Sequence, residues 1–279
     1  MIIKFLSSTL FNTNSFKNQL IQNSNYVLKL QLTLDYSHFF LNLFRPLGLT
    51  LRLLLNLSFH TKLRADVHEV KMTQKLVKLL KTDEHRISAL CLLYQLSYDE
   101  KHRAVYAFVP ELIEHIVAEL LKPKNGTEPE PTATALLVNL CSNVACVGQV
   151  CKMHNGKVVK ALAKRAFRQK SVLLMKMVRN MSQFDSAKDH LMNYIGELAQ
   201  AIGSSLGKCY QKFMEDDAPK SRLNERMANL EELEEVEAFA LECVGTLANV
   251  TNADLDYNMI IDEYRLVLQK FHGNSNCQK

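Results

Sequence analysis

One pattern recurs along the chain and limits the folds open to it: an apolar segment with helical spacing that ends on an amide side chain, one apolar residue and usually Ser or Thr. The copies are LRLLLNLSF (51–59), CLLYQLSYD (91–99), ALLVNLCSN (135–143), LMKMVRNMSQ (174–183) and CVGTLANVTN (243–252). Their amides are Asn56, Gln95, Asn139, Asn180 and Asn249, with successive separations of 39, 44, 41 and 69 residues. Three separations lie near the roughly 40–47 residues of HEAT and armadillo units, whose helices stack into a superhelix.

The segment between two amides has room for two further helices. In the clearest unit, the spacing predicts a first helix over 143–153, a second over 157–168 and a third over 171–182. His154-Asn155-Gly156 ends the first of these, because glycine supplies the left-handed cap that closes many helices. Three helices per unit indicate armadillo rather than HEAT repeats. We therefore predict an all-α fold, an armadillo-repeat superhelix: a right-handed α-solenoid of stacked three-helix units.

The longest separation predicts an insertion. Residues 203–230 mix Gly, Ser, Pro and charged residues without clear periodicity, and long insertions at surface connections add little closure entropy. We expect a flexible loop there, followed by a helix that begins at Glu231 with carboxylates suited to the positive end of a helix. The predicted organisation is a divergent segment 1–40, armadillo repeats 41–202, the inserted loop 203–230, a repeat continuation 231–272 and a tail 273–279.

Composition excludes several classes of function. A hydrophobic content of 47% and a charged content of 23% are those of a soluble globular protein, and no run approaches the ~18–20 apolar residues of a membrane span. The net charge of +5 is too mild to predict nucleic acid as a partner. Seven cysteines, an odd number, suit a reducing, cytoplasmic compartment. We find no nucleophile elbow, phosphate-binding glycine loop or carboxylate pair in a recognisable context, and therefore predict neither an enzyme nor a cofactor.

Cys141, Cys146, Cys151 and His154 form the cluster that most suggests a metal site. Zinc ligands usually come in pairs two to four residues apart, whereas steps of five residues turn about 140° each around a helix. Small side chains packed between helices explain the cysteines better. We predict no metal.

The repeated amides point to a binding surface. In an armadillo stack the third helices line the concave groove, where an Asn side chain has the donors and the acceptor to hold a peptide backbone. Each such bond contributes only about 0.5–1.5 kcal/mol, so a ladder of them is needed. The alternative is that the amides cap helices or tie neighbouring repeats together, and the sequence leaves both open. The predicted partner-binding groove contains Asn56, Gln95, Asn139, Lys176, Arg179, Asn180 and Asn249.

A basic stripe provides a second candidate surface. From Lys157 to Arg179 the chain has eight basic residues and no acidic one. Four of them fall on one side of the second helix, opposite Val158, Val159 and Leu162. The stripe consists of Lys157, Lys160, Lys164 and Arg168. It is either a solvated outer face or a surface for an acidic partner segment.

Longer segments resemble a known family. LTLRLLLNLSF (49–59), LLMKMVRNMSQFD (173–185) and ECVGTLANVTNADLDY (242–257) are similar to the kinesin-associated proteins, the non-motor accessory subunits of heterotrimeric kinesin-II. The order and spacing of further segments agree: CLLYQLSYDEKHRAVYAF (91–108), HNGKVVKALAKRAF (154–167) and NYIGELAQAI (193–202). The resemblance covers roughly residues 47–270.

The resemblance implies a non-catalytic adaptor. Such a protein would bind kinesin-II motor subunit tails and link them to cargo adaptor proteins. Its place would be the cytoplasm, at microtubules, including intraciliary transport. Three departures from the family are expected: residues 1–40 do not look like preceding repeats, 203–230 is extra, and the chain stops where further repeats should follow, as a partial chain would.

The alternative is an armadillo peptide-binding scaffold of another pathway, such as nuclear-signal recognition. That groove uses Trp one helical turn before each Asn, and this chain contains no Trp. The residues four positions before the amides are Arg52, Cys91, Ala135, Lys176 and Gly245, none of them aromatic. The importin-like interpretation is therefore disfavoured.

Overall fold

The computed structural model describes residues 44–60, 70–121, 130–215 and 223–251, and all regular structure within these ranges is helical. The chain divides into two compact units, 1–146 and 147–279. The first contains α1 (Phe44–Ser58), α2 (Val70–Leu79), α3 (Arg86–Leu96), α4 (Glu100–Tyr106), α5 (Pro110–Leu121) and α6 (Pro131–Leu140). Helix α7 (Val144–Lys152) and a 3₁₀ turn (Met153–Gly156) follow, the unit boundary lying within α7. The second unit continues with α8 (Lys157–Gln169), α9 (Val172–Ser182), α10 (Asp185–Leu191), a 3₁₀ turn (Met192–Tyr194), α11 (Ile195–Glu215) and α12 (Leu223–Val250).

A short helix followed by two longer ones forms the repeating unit. The short helices α4, α7 and α10 have 7, 9 and 7 residues. In the first unit α5 packs on α6, and the third helices stack in the order α1, α3 and α6. In the second unit α8 packs on α9, α11 packs on α12, and the third helices α9 and α12 pack together. This packing confirms the predicted all-α, armadillo-like fold of three-helix repeats.

Capping residues fix where several helices begin. The Asp99 carboxylate accepts a hydrogen bond from the Lys101 backbone N–H at 2.8 Å, and Ser171 Oγ accepts one from the Leu174 N–H at 3.3 Å. Asn143 Oδ1 accepts from the backbone N–H groups of residues 145 and 146 at the start of α7. Each cap satisfies a backbone donor that the first helical turn leaves free. Pro131 begins α6, where the missing N–H costs nothing.

Apolar side chains between the helices of each unit form its core. Leu92, Leu112 and Leu136 are fully buried in the first unit, and Leu162 and Met177 in the second. Among the described residues no single helix is long and apolar enough to cross a membrane. Two helical segments separated by a sharp bend, Pro131–Leu140 and Val144–Gln169, are together long and apolar enough, judged by length and composition only.

The turn after α7 contains three successive residues in the left-handed region. His154, Asn155 and Gly156 have φ angles of 50°, 53° and 77°. The predicted helix end at this tripeptide is therefore observed, and left-handed backbone begins two residues before the glycine. A side chain at Gly156 would also meet the ring of His190, since a Cβ there would lie 2.2 Å from His190 Cε1. Gly156 therefore allows α10 to lie close to the start of α8.

The segment 203–230 differs from the loop that the sequence predicts. Helix α11 continues to Glu215 and α12 begins at Leu223, so the described parts of this segment are helical, and residues 216–222 lie outside them. Gly203 and Gly207 each cost a helix about 1 kcal/mol, which the long packing of α11 on α12 offsets.

Helix α12 also starts eight residues before the expected start at Glu231. Residues 231–235 therefore lie inside a helix and not in its first turn. The predicted segment 1–40 and the tail 273–279 lie outside the described residues.

Candidate functional site

Two of the repeated amides connect third helices of neighbouring repeats. Asn139 Nδ2, on α6, donates to Ser97 Oγ at the end of α3 over 2.8 Å. Asn249 Nδ2, on α12, donates to Ser182 Oγ at the end of α9 over 3.0 Å, and to the Arg179 carbonyl over 3.4 Å. These bonds give both amides a structural role. They tie neighbouring repeats together, which is one of the two alternatives that the sequence left open.

The same bonds explain why Ser follows the amide in the repeated pattern. Ser97 Oγ donates its proton to the Tyr94 carbonyl at 2.6 Å, and Ser182 Oγ donates to the Arg179 carbonyl at 2.7 Å. Each hydroxyl oxygen then still has lone pairs that accept from the amide of the next repeat. Both serines are 0% exposed, so water does not replace the amide donor.

We expect Asn139→Ala to lower the free energy of unfolding by about 1–3 kcal/mol, because it leaves the buried Ser97 oxygen without its amide donor. Ser97→Ala should cost a similar amount, and the double variant should cost less than the sum of the two. Asn56→Ala is the control, since the exposed Asn56 side chain should contribute less than about 0.5 kcal/mol. Urea denaturation of the four variants measures the coupling. Additive losses would show that the Asn139–Ser97 bond contributes no stability.

Arg179 contacts the next third helix. Its Nη1 lies 3.2 Å from Glu242 Oε2, and its side chain covers Gly245, where a Cβ would come within 2.4 Å of Arg179 Nε. The Arg179 side chain is 45% exposed and that of Glu242 14%. Arg179 therefore helps to hold α12 against α9 while part of its surface remains open to solvent.

The other predicted groove residues have different degrees of exposure. Asn56 on α1 and Lys176 on α9 are exposed, whereas Gln95 on α3 and Asn180 on α9 are half-buried. Asn56, Gln95 and Asn139 lie on third helices of the first unit. Lys176, Arg179, Asn180 and Asn249 lie on those of the second. Partner binding by these seven residues stays a prediction.

Exposed aromatic and aliphatic side chains on α3 and directly after it were missed by the sequence reasoning. Ile87 on α3 is 48% exposed, and Tyr98, two residues after α3 ends, is 52% exposed. The rings of Tyr94 and Tyr98 meet edge to face with centroids 5.3 Å apart, and their hydroxyls are hydrogen-bonded. That bond, with partial burial, raises the pKa of Tyr94 to about 12. The sequence signal was the helical spacing of Ile87, Tyr94 and Tyr98. None of the three is at position 91, four residues before the amide, where Trp was sought.

The basic stripe lies on the surface of α8. All four side chains, Lys157, Lys160, Lys164 and Arg168, are exposed. Val158, Val159 and Leu162 on the other side of the helix are buried. The amphipathic arrangement that the sequence predicts is therefore the one found in the structure.

The cysteine cluster consists of buried thiols. Cys141, Cys146 and Cys151 are buried thiols that form no disulfide, and the Cys146 thiol donates to the Arg103 carbonyl at 3.4 Å. Burial raises the pKa of Cys146 to about 12, which keeps the thiol protonated at neutral pH. In the described part of the chain no three His, Cys, Asp or Glu side chains lie close enough together to hold a metal ion.

Fold and surface together define an all-α protein of armadillo-like repeats in which two pairs of third helices are joined by amide–serine hydrogen bonds. Comparison with family models then identifies the kind of repeat protein. The model described as "Kinesin-associated protein (KAP)" matches residues 2–210 and 221–272. The chain belongs to the kinesin-associated protein family. No solved structure matches the chain.

The family match extends further than the resemblance seen in the sequence. It includes residues 2–40, which the sequence analysis set apart as divergent. Within the predicted insert 203–230 it leaves only residues 211–220 unmatched. Residues 203–210 of α11 and the first turns of α12 therefore lie within the family match.

Proposed function

We propose that this chain is a non-catalytic accessory subunit that binds the tail of a heterodimeric kinesin-II motor and links it to cargo adaptor proteins. The observation that carries this proposal is the family match over residues 2–210 and 221–272. The repeat architecture supports it, because stacked helical repeats present extended surfaces to partners. The proposed setting is the cytoplasm, at microtubules, including transport in cilia.

The proposed contact surface is the exposed side of the third helices and the residues that directly follow them. Because Asn139 and Asn249 bond to serines of neighbouring repeats, their donors are partly committed within the protein. We assign the first unit's share of binding to the side chains beside them, Asn56, Ile87, Gln95 and Tyr98. Exposed tyrosine and isoleucine side chains can bury a large apolar area, which is where binding energy concentrates. In the second unit the corresponding residues are Lys176, Arg179 and Asn180.

The experiment is a titration of the purified heterodimer of motor tails into the chain. Saturable binding is expected for the unmodified protein. Gln95→Ala combined with Tyr98→Ala should weaken it roughly 5- to 30-fold, or about 1–2 kcal/mol, by removing a polar and an aromatic contact. Phe108→Ala is the matched control, because Phe108 is 74% exposed but follows the short helix α4, whereas Tyr98 follows the third helix α3.

Thermal melts of each variant show whether the fold is retained. No binding by the unmodified chain would refute the proposed function. Normal binding by the Gln95/Tyr98 double variant would leave the function standing and refute the assignment of this surface.

A further inference from the structure

We propose that the basic stripe of α8 is a docking site for an extended acidic segment of a protein partner. This goes beyond the proposed function, because it concerns a second helix of a repeat and not the third-helix surface. The stripe consists of Lys157, Lys160, Lys164 and Arg168.

The geometry of α8 displays the four cations in one row. Their spacing of three, four and four residues places them on one side of the helix, over about 16 Å at 1.5 Å per residue. An extended peptide advances about 3.3 Å per residue, so the row matches about five residues of such a segment. The burial of Val158, Val159 and Leu162 fixes which side of α8 faces outward.

Tertiary contacts hold this row in place. Tyr194 Oη donates to the Lys160 carbonyl at 3.3 Å, and the Phe167 ring stacks on Tyr194 with centroids 6.0 Å apart. The stripe is therefore presented by a packed helix, which lowers the conformational cost of binding a partner.

The charges of the stripe are not compensated within the described residues. None of the four cations forms an ion pair with a carboxylate there. Asp185 on α10 is engaged by Lys188 at 2.8 Å, and Glu197 on α11 is exposed. Like charges one turn apart repel each other along a helix, so an unpaired row of them is unfavourable for α8 alone. An acidic segment would relieve this repulsion.

An acidic peptide fits the stripe better than a membrane or RNA. No large apolar side chain is exposed on α8, whereas helices that lie on a bilayer insert an apolar face. The aromatic ring of α8, Phe167, is stacked on Tyr194 and does not stand free to stack on a base. Charge complementarity along one short row is what a peptide of Glu and Asp provides.

The test uses fluorescence anisotropy with a labelled ten-residue polyglutamate peptide at low ionic strength. We expect saturable binding that weakens with added salt, and a loss of at least tenfold in affinity for Lys160→Glu with Lys164→Glu. The matched control is Lys71→Glu with Lys78→Glu on α2, where both lysines are exposed. Both double variants change the net charge from +5 to +1. The control should bind within about twofold of the unmodified chain.

Several outcomes would overturn the proposal. Equal loss in both double variants would mean that only net charge matters, and no binding by the unmodified chain would refute the site. Stronger binding to phosphatidylserine vesicles or polyuridylate than to the peptide would assign the stripe to a membrane or to RNA. Binding of motor tails, measured separately on the same variants, shows whether the proposed function stands whatever the peptide result.

Discussion

Replacing Tyr106 with alanine should lower the free energy of unfolding by about 3–5 kcal/mol, the cost of truncating a large buried aromatic side chain. Tyr106 is the last residue of α4 and is 0% exposed. Its hydroxyl donates to the Leu93 carbonyl of α3 at 3.1 Å, and burial raises the pKa of its phenol, so the donor stays neutral. The cavity would lie where the short helix of one repeat meets the third helix before it.

Tyr106→Phe is the matched control and should cost only about 1 kcal/mol. The Leu93 carbonyl would keep the backbone N–H of Ser97, which donates to it at 3.0 Å. Urea denaturation followed by far-UV circular dichroism measures both variants. If the two substitutions were equally mild, Tyr106 would not be the close-packed contact described above.

The second large effect concerns Gly156. Gly156→Ala should destabilise the protein by more than the ~1–2 kcal/mol that left-handed backbone costs an alanine, because its Cβ would also displace the His190 ring. Gly156 has a φ of 77° and directly precedes α8, so a change of this angle would reorient the start of that helix. The measurement is the thermal midpoint and the free energy of unfolding in urea.

Gly148→Ala is a control that should change the free energy of unfolding in the opposite direction. Gly148 lies inside α7, and apart from the backbone of that helix nothing lies within 4 Å of the place its Cβ would take. The alanine should therefore stabilise the protein by about 0.5–1 kcal/mol through helix propensity. If both alanines shifted stability in the same direction, the difference in their surroundings would not control the outcome.

The helices α7, α8 and α9 were predictable from sequence to within one or two residues. Their signals are local: apolar spacing within each helix, Ser171 as a capping residue, and the His154-Asn155-Gly156 turn. The three-helix repeat followed from the recurrence of the amide pattern. The extension of α11 through Gly203 and Gly207 could not be predicted from local sequence. Its cost in helix propensity is offset by packing against α12, which lies later in the chain.

The candidate site was only partly predictable for the same reason. The repeated Asn and Ser were visible in the sequence, but the bonds join residues 42 and 67 positions apart, from Asn139 to Ser97 and from Asn249 to Ser182. A pattern of local spacing does not show which amide meets which hydroxyl. The contact of Arg179 with Gly245 is likewise a property of helix packing.

The most direct test of an accessory role in transport is single-molecule fluorescence with this chain and a heterodimeric kinesin-II motor on microtubules. We predict that the labelled chain moves processively with the full-length motor and does not move with a motor whose tails have been removed. The Gln95/Tyr98 double variant should move less often at the same concentration. Equal movement with tailed and tailless motors would contradict tail binding, and no movement with either would contradict the accessory function itself.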